Sequence, residues 1–154
     1  MEQVAFPHDP GLDALRRLRA ELRDSMAALE QALAAPAPGR RTAWAERVDV
    51  ALLELSADFR EHVAVTEGVD GVHRTVLGTV PRLSNAVERL VAEHALIISL
   101  VSDLTTRVQP PMPEGDVDAV RKLGTALLSR LVRHRQHGAD LIYQAYHVDL
   151  GGET

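Results

Sequence analysis

Four long stretches of the chain repeat apolar residues every three or four positions, and this spacing constrains the fold more than any other feature. Residues at that spacing share one face of an α-helix. The segments Ala35–Gly39 (APAPG) and Gln109–Gly115 (QPPMPEG) separate some of these stretches and cannot continue a helix, because they are rich in proline and glycine. No stretch alternates apolar and polar residues with the two-residue period of a strand. The sequence therefore predicts an all-α protein.

The turn-forming segments divide the chain into four predicted helices. Their expected ranges are residues 10–35, 42–67, 79–107 and 116–147, and residues 68–78 form a connection with room for a short helical turn. Helices of about 25–30 residues joined by short connections indicate an antiparallel, up-down-up-down four-helix bundle. The alternative is an αα-hairpin that dimerises. We expect one domain over residues 1–154, with irregular ends at 1–9 and 148–154.

The composition excludes several classes of function. The chain has no cysteine, so it has no disulfide, no thiolate metal site and no cysteine nucleophile. Its net charge is −5 and its basic residues are spread along all the helices, which argues against a nucleic-acid-binding face. Apolar runs such as Ala95–Ile98 are too short to span a membrane, and the N-terminus does not resemble a signal peptide. The sequence predicts a cytoplasmic protein that binds neither nucleic acid nor membranes.

Three predicted helices each carry a histidine on the apolar stripe, namely His62, His94 and His134. Counting from the helix ends, at about 1.5 Å per residue, gives these histidines a similar depth in the bundle and brings Arg19 of the first helix to the same level. Neutral imidazole is a common metal ligand, and bundle cores hold iron and manganese sites. The three histidines are therefore candidate metal ligands, and the alternative for each is a hydrogen-bonded core residue.

The carboxylates near these histidines do not fit a conventional dinuclear site. Bridging carboxylates are expected one turn after each histidine, but Thr66, Ile98 and Gly138 occupy those positions. Glu67, five residues after His62, is a candidate further ligand if the helix end unwinds there. Glu93 is expected to face outward or toward a neighbouring helix.

Arg19 is the one seam position of the first helix that breaks its apolar stripe. An arginine is a permanent cation and cannot ligate a metal. If Arg19 points inward it needs an acidic partner, with Asp58 and Glu67 as candidates, or a bound anion. If it points outward, the three histidines remain free for a mononuclear site.

The other histidines are weaker candidates. His137, one turn after His134, either borders the site or is a solvated helix residue. His8, His73 and His147 fall in predicted loop, connection or chain-end contexts, so we expect them at the surface.

Three segments, LSADFREHVAVTEG, PRLSNAVERLVAEHALIISLVSDL and LLSRLVRHRQHGADLIYQAY, resemble the bacterial hemerythrin-like (HHE cation-binding) family. The resemblance covers most of the chain in the order of helices, connections and histidines. Members of that family are four-helix bundles that usually hold a non-heme diiron centre, used for oxygen binding, sensing or related redox tasks. The resemblance implies iron as the metal and His62, His94 and His134 as ligands, while Arg19 stands where the first-helix histidine is expected.

Three functions are compatible with these observations. The first is a hemerythrin-like protein whose reduced site, formed by His62, Glu67, His94 and His134, holds mononuclear or atypical dinuclear iron and binds a small diatomic or anionic ligand. Zinc would suit three imidazoles and an open fourth position equally well. The second is a metal-free bundle that acts as a small-ligand-binding or protein-interaction module. The third is an enzyme whose metal activates oxygen or water. We identify no catalytic residue, so we expect a protein that is not an enzyme.

Overall fold

The computed structural model describes residues 10–148, and every element in this range is helical. The α-helices are α1 (Pro10–Ala34), α2 (Arg41–Glu67), α3 (Val72–Thr79), α4 (Ser84–Arg107) and α5 (Asp116–Tyr143). A 3₁₀ turn, Pro81–Leu83, precedes α4, and a π-helical turn, Gln144–Val148, follows α5. The long helices α1, α2, α4 and α5 pack antiparallel, which confirms the predicted four-helix bundle. Of the predicted irregular ends, residues 1–9 and 149–154 lie outside the described range.

No helix among the described residues combines the length and the hydropathy that a membrane crossing would require.

The segment between α2 and α4 contains more structure than the sequence predicted. The expected short turn is the two-turn helix α3. The third long helix begins at Ser84 and not at Thr79, because Val80 is extended, with φ −133° and ψ 78°. A residue that precedes proline is disfavoured in the helical region, so Pro81 starts a new turn and does not continue α3.

The core consists of two apolar clusters with the histidines between them. The larger cluster is formed by the parts of the four long helices around Leu52, Leu104 and Leu127. The smaller cluster joins α3 to the opposite ends of α1, α4 and α5. In α4, Leu90 belongs to the smaller cluster and Ile97 to the larger one, and His94 lies between them in the chain. The long helices thus place a polar layer inside an otherwise aliphatic bundle.

Replacing Gly138 with alanine should stabilise the fold. A Cβ atom at Gly138 in α5 would meet no other atom within 4 Å. Alanine is better than glycine inside a helix by about 0.8–1.0 kcal/mol, so Gly138→Ala should raise the free energy of unfolding by roughly this amount. Urea denaturation measures the change.

The matched control is Gly124→Ala, in the same helix. Its Cβ would lie 2.5 Å from Leu33 Cδ1 in the packed core, so the helical gain should be offset by the displacement of Leu33. Equal effects of the two substitutions would contradict the packing described for Gly138.

Candidate metal centre

His62, His94 and His134 meet in the interior of the bundle, one each from α2, α4 and α5. All three side chains are buried. Each offers a ring nitrogen, and these three atoms lie within 4.8 Å of one another. The Nε2 atoms of His62 and His134 are 3.2 Å apart. The sequence-based prediction that these histidines share one level of the bundle is confirmed.

Phe59 supports the three imidazoles from one side. It lies one turn before His62 in α2 and is almost fully buried. Its ring centroid is 5.5 Å from that of His62, 5.6 Å from that of His94 and 5.9 Å from that of His134. A rigid aromatic ring in contact with all three histidines restricts their rotamers and keeps the cluster together.

Two carboxylates contact the cluster, each through the Nδ1 atom of one histidine. Glu67 Oε2 lies 2.5 Å from His94 Nδ1, and Glu93 Oε1 lies 3.2 Å from His134 Nδ1. These carboxylates are partly exposed, at 30% and 21% of their side-chain surface. Glu93 therefore faces a neighbouring helix, one of its two predicted orientations, although it is adjacent to His94 in the chain. A carboxylate on the remote ring nitrogen is the usual way in which proteins orient a metal-binding histidine.

Several ring nitrogens at this level have no protein partner. His94 Nε2, His62 Nδ1 and His73 Nδ1 are buried and make no hydrogen bond to any described residue. A buried polar atom without a partner costs free energy, and such atoms are uncommon in native structures. Three of the four such side-chain atoms found among the described residues lie in this layer, and the fourth is Trp44 Nε1.

The histidines of the cluster are neutral at physiological pH. Burial and, to a smaller extent, the neighbouring His134 lower the pKa of His62 and of His94 to about 3. Burial also lowers the pKa of His134, although its hydrogen bond to Glu93 opposes the shift. Neutral imidazole is the form that binds a metal ion, so the cluster needs no deprotonation before binding.

His73 belongs to this region, and the prediction that it is a surface residue was wrong. It is buried, and its ring stacks on that of His94 with a centroid distance of 5.9 Å and an interplanar angle of 5°. The reason is that α3 folds back onto the bundle and buries Val72 and Val76 on the same side. Those two valines, four residues apart, were the sequence signal for a buried helical face.

The remaining histidines do not join the cluster among the described residues. His137 is 44% exposed and its Nδ1 lies 2.9 Å from Glu93, so it borders the cluster through that carboxylate. His8 and the side chain of His147 lie outside the described residues.

A cavity of about 30 Å³ adjoins the histidines. Arg19 lines it from α1, which shows that this side chain points inward. Its Nη2 donates a hydrogen bond to the backbone oxygen of Arg135 at 3.3 Å. Within residues 10–148 neither predicted acidic partner pairs with Arg19, because Asp58 accepts a hydrogen bond from Ser25 Oγ and Glu67 contacts His94.

The positions expected to hold bridging carboxylates provide none. The Thr66 hydroxyl donates to the backbone oxygen of His62 at 2.9 Å, Ile98 packs against the larger apolar cluster, and Gly138 lines the cavity without a side chain. In the described part of the chain the group with metal-binding geometry contains the three histidines alone. Direct ligation by Glu67 stays a prediction.

Acid should destabilise the metal-free protein. Unfolding returns His62 and His94 from a pKa of about 3 to 6.5, so the unfolded chain binds more protons below pH 6.5. The free energy of unfolding should then fall as pH decreases from about 6.5, by up to about 1.4 kcal/mol per pH unit for each histidine. Urea denaturation of chelator-treated protein between pH 7.5 and pH 5 measures this slope, above the range in which carboxylates titrate.

The variant His62→Gln should reduce the slope of the unfolding free energy against pH, because about one proton fewer is taken up on unfolding. A stability profile that is flat over this pH range in the parent protein would contradict the neutral, buried state of the cluster.

No protein-family model, curated protein or solved structure matches this chain. Membership of the hemerythrin-like family therefore stays a prediction, whereas the four-helix bundle and its buried three-histidine cluster are established features of this protein.

Proposed function

We propose that this protein binds one transition-metal ion through His62, His94 and His134. The observation that carries the proposal is the convergence of ring nitrogens from three helices, with carboxylates on the opposite nitrogens of His94 and His134. Two nitrogens that bind one ion tetrahedrally at about 2.0–2.1 Å lie about 3.3 Å apart. The 3.2 Å between His62 Nε2 and His134 Nε2 agrees with this value.

Glu67 and Glu93 would act through the histidines that they contact. Each accepts a hydrogen bond from an Nδ1–H group, which fixes the tautomer so that Nε2 carries the lone pair. The same bond increases the basicity of the imidazole toward a metal. Glu67 would thus orient His94 and not ligate the metal, a role different from the one that its sequence position suggested.

The resemblance to hemerythrin-like proteins favours iron, and three neutral imidazoles suit zinc equally well. Such an ion supplies a Lewis-acidic or redox-active centre for a small molecule. The adjoining cavity of about 30 Å³ limits the size of that molecule. A space of about 10–15 Å³ on the same measure holds one water, so the cavity accepts a diatomic or a small anion. We therefore propose a role in oxygen-related or redox-related binding or sensing.

A metal-free function is the second candidate, because Arg19, which stands where the resemblance implies a first-helix histidine, lines the cavity. In that case the bundle would bind a small molecule through Arg19 and the histidines. Metal analysis separates the two candidates.

Protein purified without added metal, or reconstituted with ferrous iron or zinc, should contain about one metal ion per chain. The double variant His62→Gln/His94→Gln should lose it, because one imidazole does not hold a transition metal at a buried site. Elemental analysis of the gel-filtered protein gives the stoichiometry, and circular dichroism checks the fold.

The single variant His137→Gln is the control and should retain the ion. Absence of stoichiometric metal after reconstitution, or full retention in the double variant, would overturn the proposal.

The orienting role of the carboxylates can be tested separately. Glu67→Gln and Glu93→Gln should each weaken zinc binding by about 10–100-fold without changing the stoichiometry, the usual cost of losing such a partner. Competition with a chromophoric chelator measures the affinity.

Glu61→Gln, at an exposed glutamate next to His62 in α2, is the matched control and should bind normally. A loss of stoichiometric binding in Glu67→Gln alone would instead identify Glu67 as a direct ligand.

A further inference from the structure

Two arginines meet at the cavity beside the histidines. Arg19 of α1 and Arg135 of α5 both line it and are both half-buried. Burial lowers the pKa of Arg19, and the neighbouring Arg135 lowers it further, as expected for two cations that repel each other. Their contact is the hydrogen bond from Arg19 Nη2 to the Arg135 carbonyl, and the other guanidinium donors of Arg19 make no hydrogen bond to a described residue.

No carboxylate within the described residues neutralises this pair. The residues that line the cavity include no aspartate and no glutamate. The nearby carboxylates are already used, because Glu67 contacts His94, Glu93 contacts His134 and Asp58 accepts from Ser25. Half-buried cations without a counterion are costly, so the pair favours an anion that is not part of the protein.

The cavity also contains a neutral polar group, and its volume limits the size of the anion. His73 lines it, and the Nδ1 atom of this histidine is buried without a protein partner. Much of the remaining lining is aliphatic, from residues such as Leu15, Leu90 and Leu141. A volume of about 30 Å³ fits a small anion of about two or three heavy atoms.

We infer that Arg19 and Arg135 form a binding site for a small monovalent oxyanion of the size of formate or nitrite. The planar guanidinium fork matches the two oxygens of such an anion. This inference deepens the proposed function by naming the ligand of its cavity, but it does not depend on metal binding, because the arginine pair and the cavity exist without an ion at the histidines. Binding should therefore be measurable in metal-free protein.

The experiment titrates sodium formate into chelator-treated protein, with sodium gluconate holding the ionic strength constant because its anion is too large for the cavity. The side-chain Nε–H signals of Arg19 and Arg135 should shift in NMR spectra and saturate, and formate should raise the melting temperature. Arg19→Gln should weaken formate binding about tenfold or more, because hydrogen bonds to charged groups contribute about 1.5–3 kcal/mol. Arg135→Gln should weaken it similarly, and it gives an independent test if one variant folds poorly.

Arg16→Gln is the matched control, since it removes the same charge from an exposed side chain of the same helix. Formate binding should be unchanged in this variant. A non-saturating response, an equal loss in Arg16→Gln, or normal binding in both cavity variants would overturn the inference. None of these outcomes depends on metal content, which elemental analysis determines separately.

Discussion

The structure depends on a layer of imidazoles buried between two aliphatic clusters. In each of three long helices a histidine interrupts the apolar stripe, namely His62, His94 or His134, and these histidines coincide in space. Burying a polar group requires a hydrogen bond or a ligand in return. Protein partners satisfy only some of these nitrogens, through Glu67 and Glu93, and the atoms that remain unpartnered are concentrated in this layer. The layer that interrupts the aliphatic core is thus also the part of the molecule that offers buried nitrogen atoms to a ligand.

The end of α2 and the fold of α3 complete that layer. The backbone N–H of Gly68 bonds to the Ala64 carbonyl and ends α2 just after Glu67, which leaves this carboxylate close to His94. At Gly71 the chain turns so tightly that a Cβ atom would lie 2.6 Å from the Thr66 carbonyl oxygen. Because glycine permits this approach, α3 packs against the bundle and His73 stacks on His94. The connection in which the sequence indicated a short helical turn therefore closes one side of the cavity.

The sequence predicted the helices and the histidine level because both depend on local rules. Helical spacing decides which face of α4 carries His94, and helix length decides how deep it lies. Contacts between distant segments were not predictable in the same way. The pairing of Glu93 with His134 and the inward position of His73 depend on how α5 and α3 are rotated against their neighbours. The approach of Arg135 to Arg19 also depends on that rotation. The spacing of apolar residues does not determine the rotation of a helix closely enough to predict which side chains touch.

Arg19 links the electrostatics of the site to the number of metal ions that it can hold. A second dication beside the first would face the charges of Arg19 and Arg135, with no acidic side chain lining the cavity within the described residues. At an effective dielectric constant of about 20, a divalent ion about 5 Å from a guanidinium is repelled by about 7 kcal/mol. Bridging carboxylates normally offset such repulsion, and Thr66, Ile98 and Gly138 supply none. The charge pattern therefore disfavours a second metal ion, and it is compatible with the single ion and the small anion that we propose.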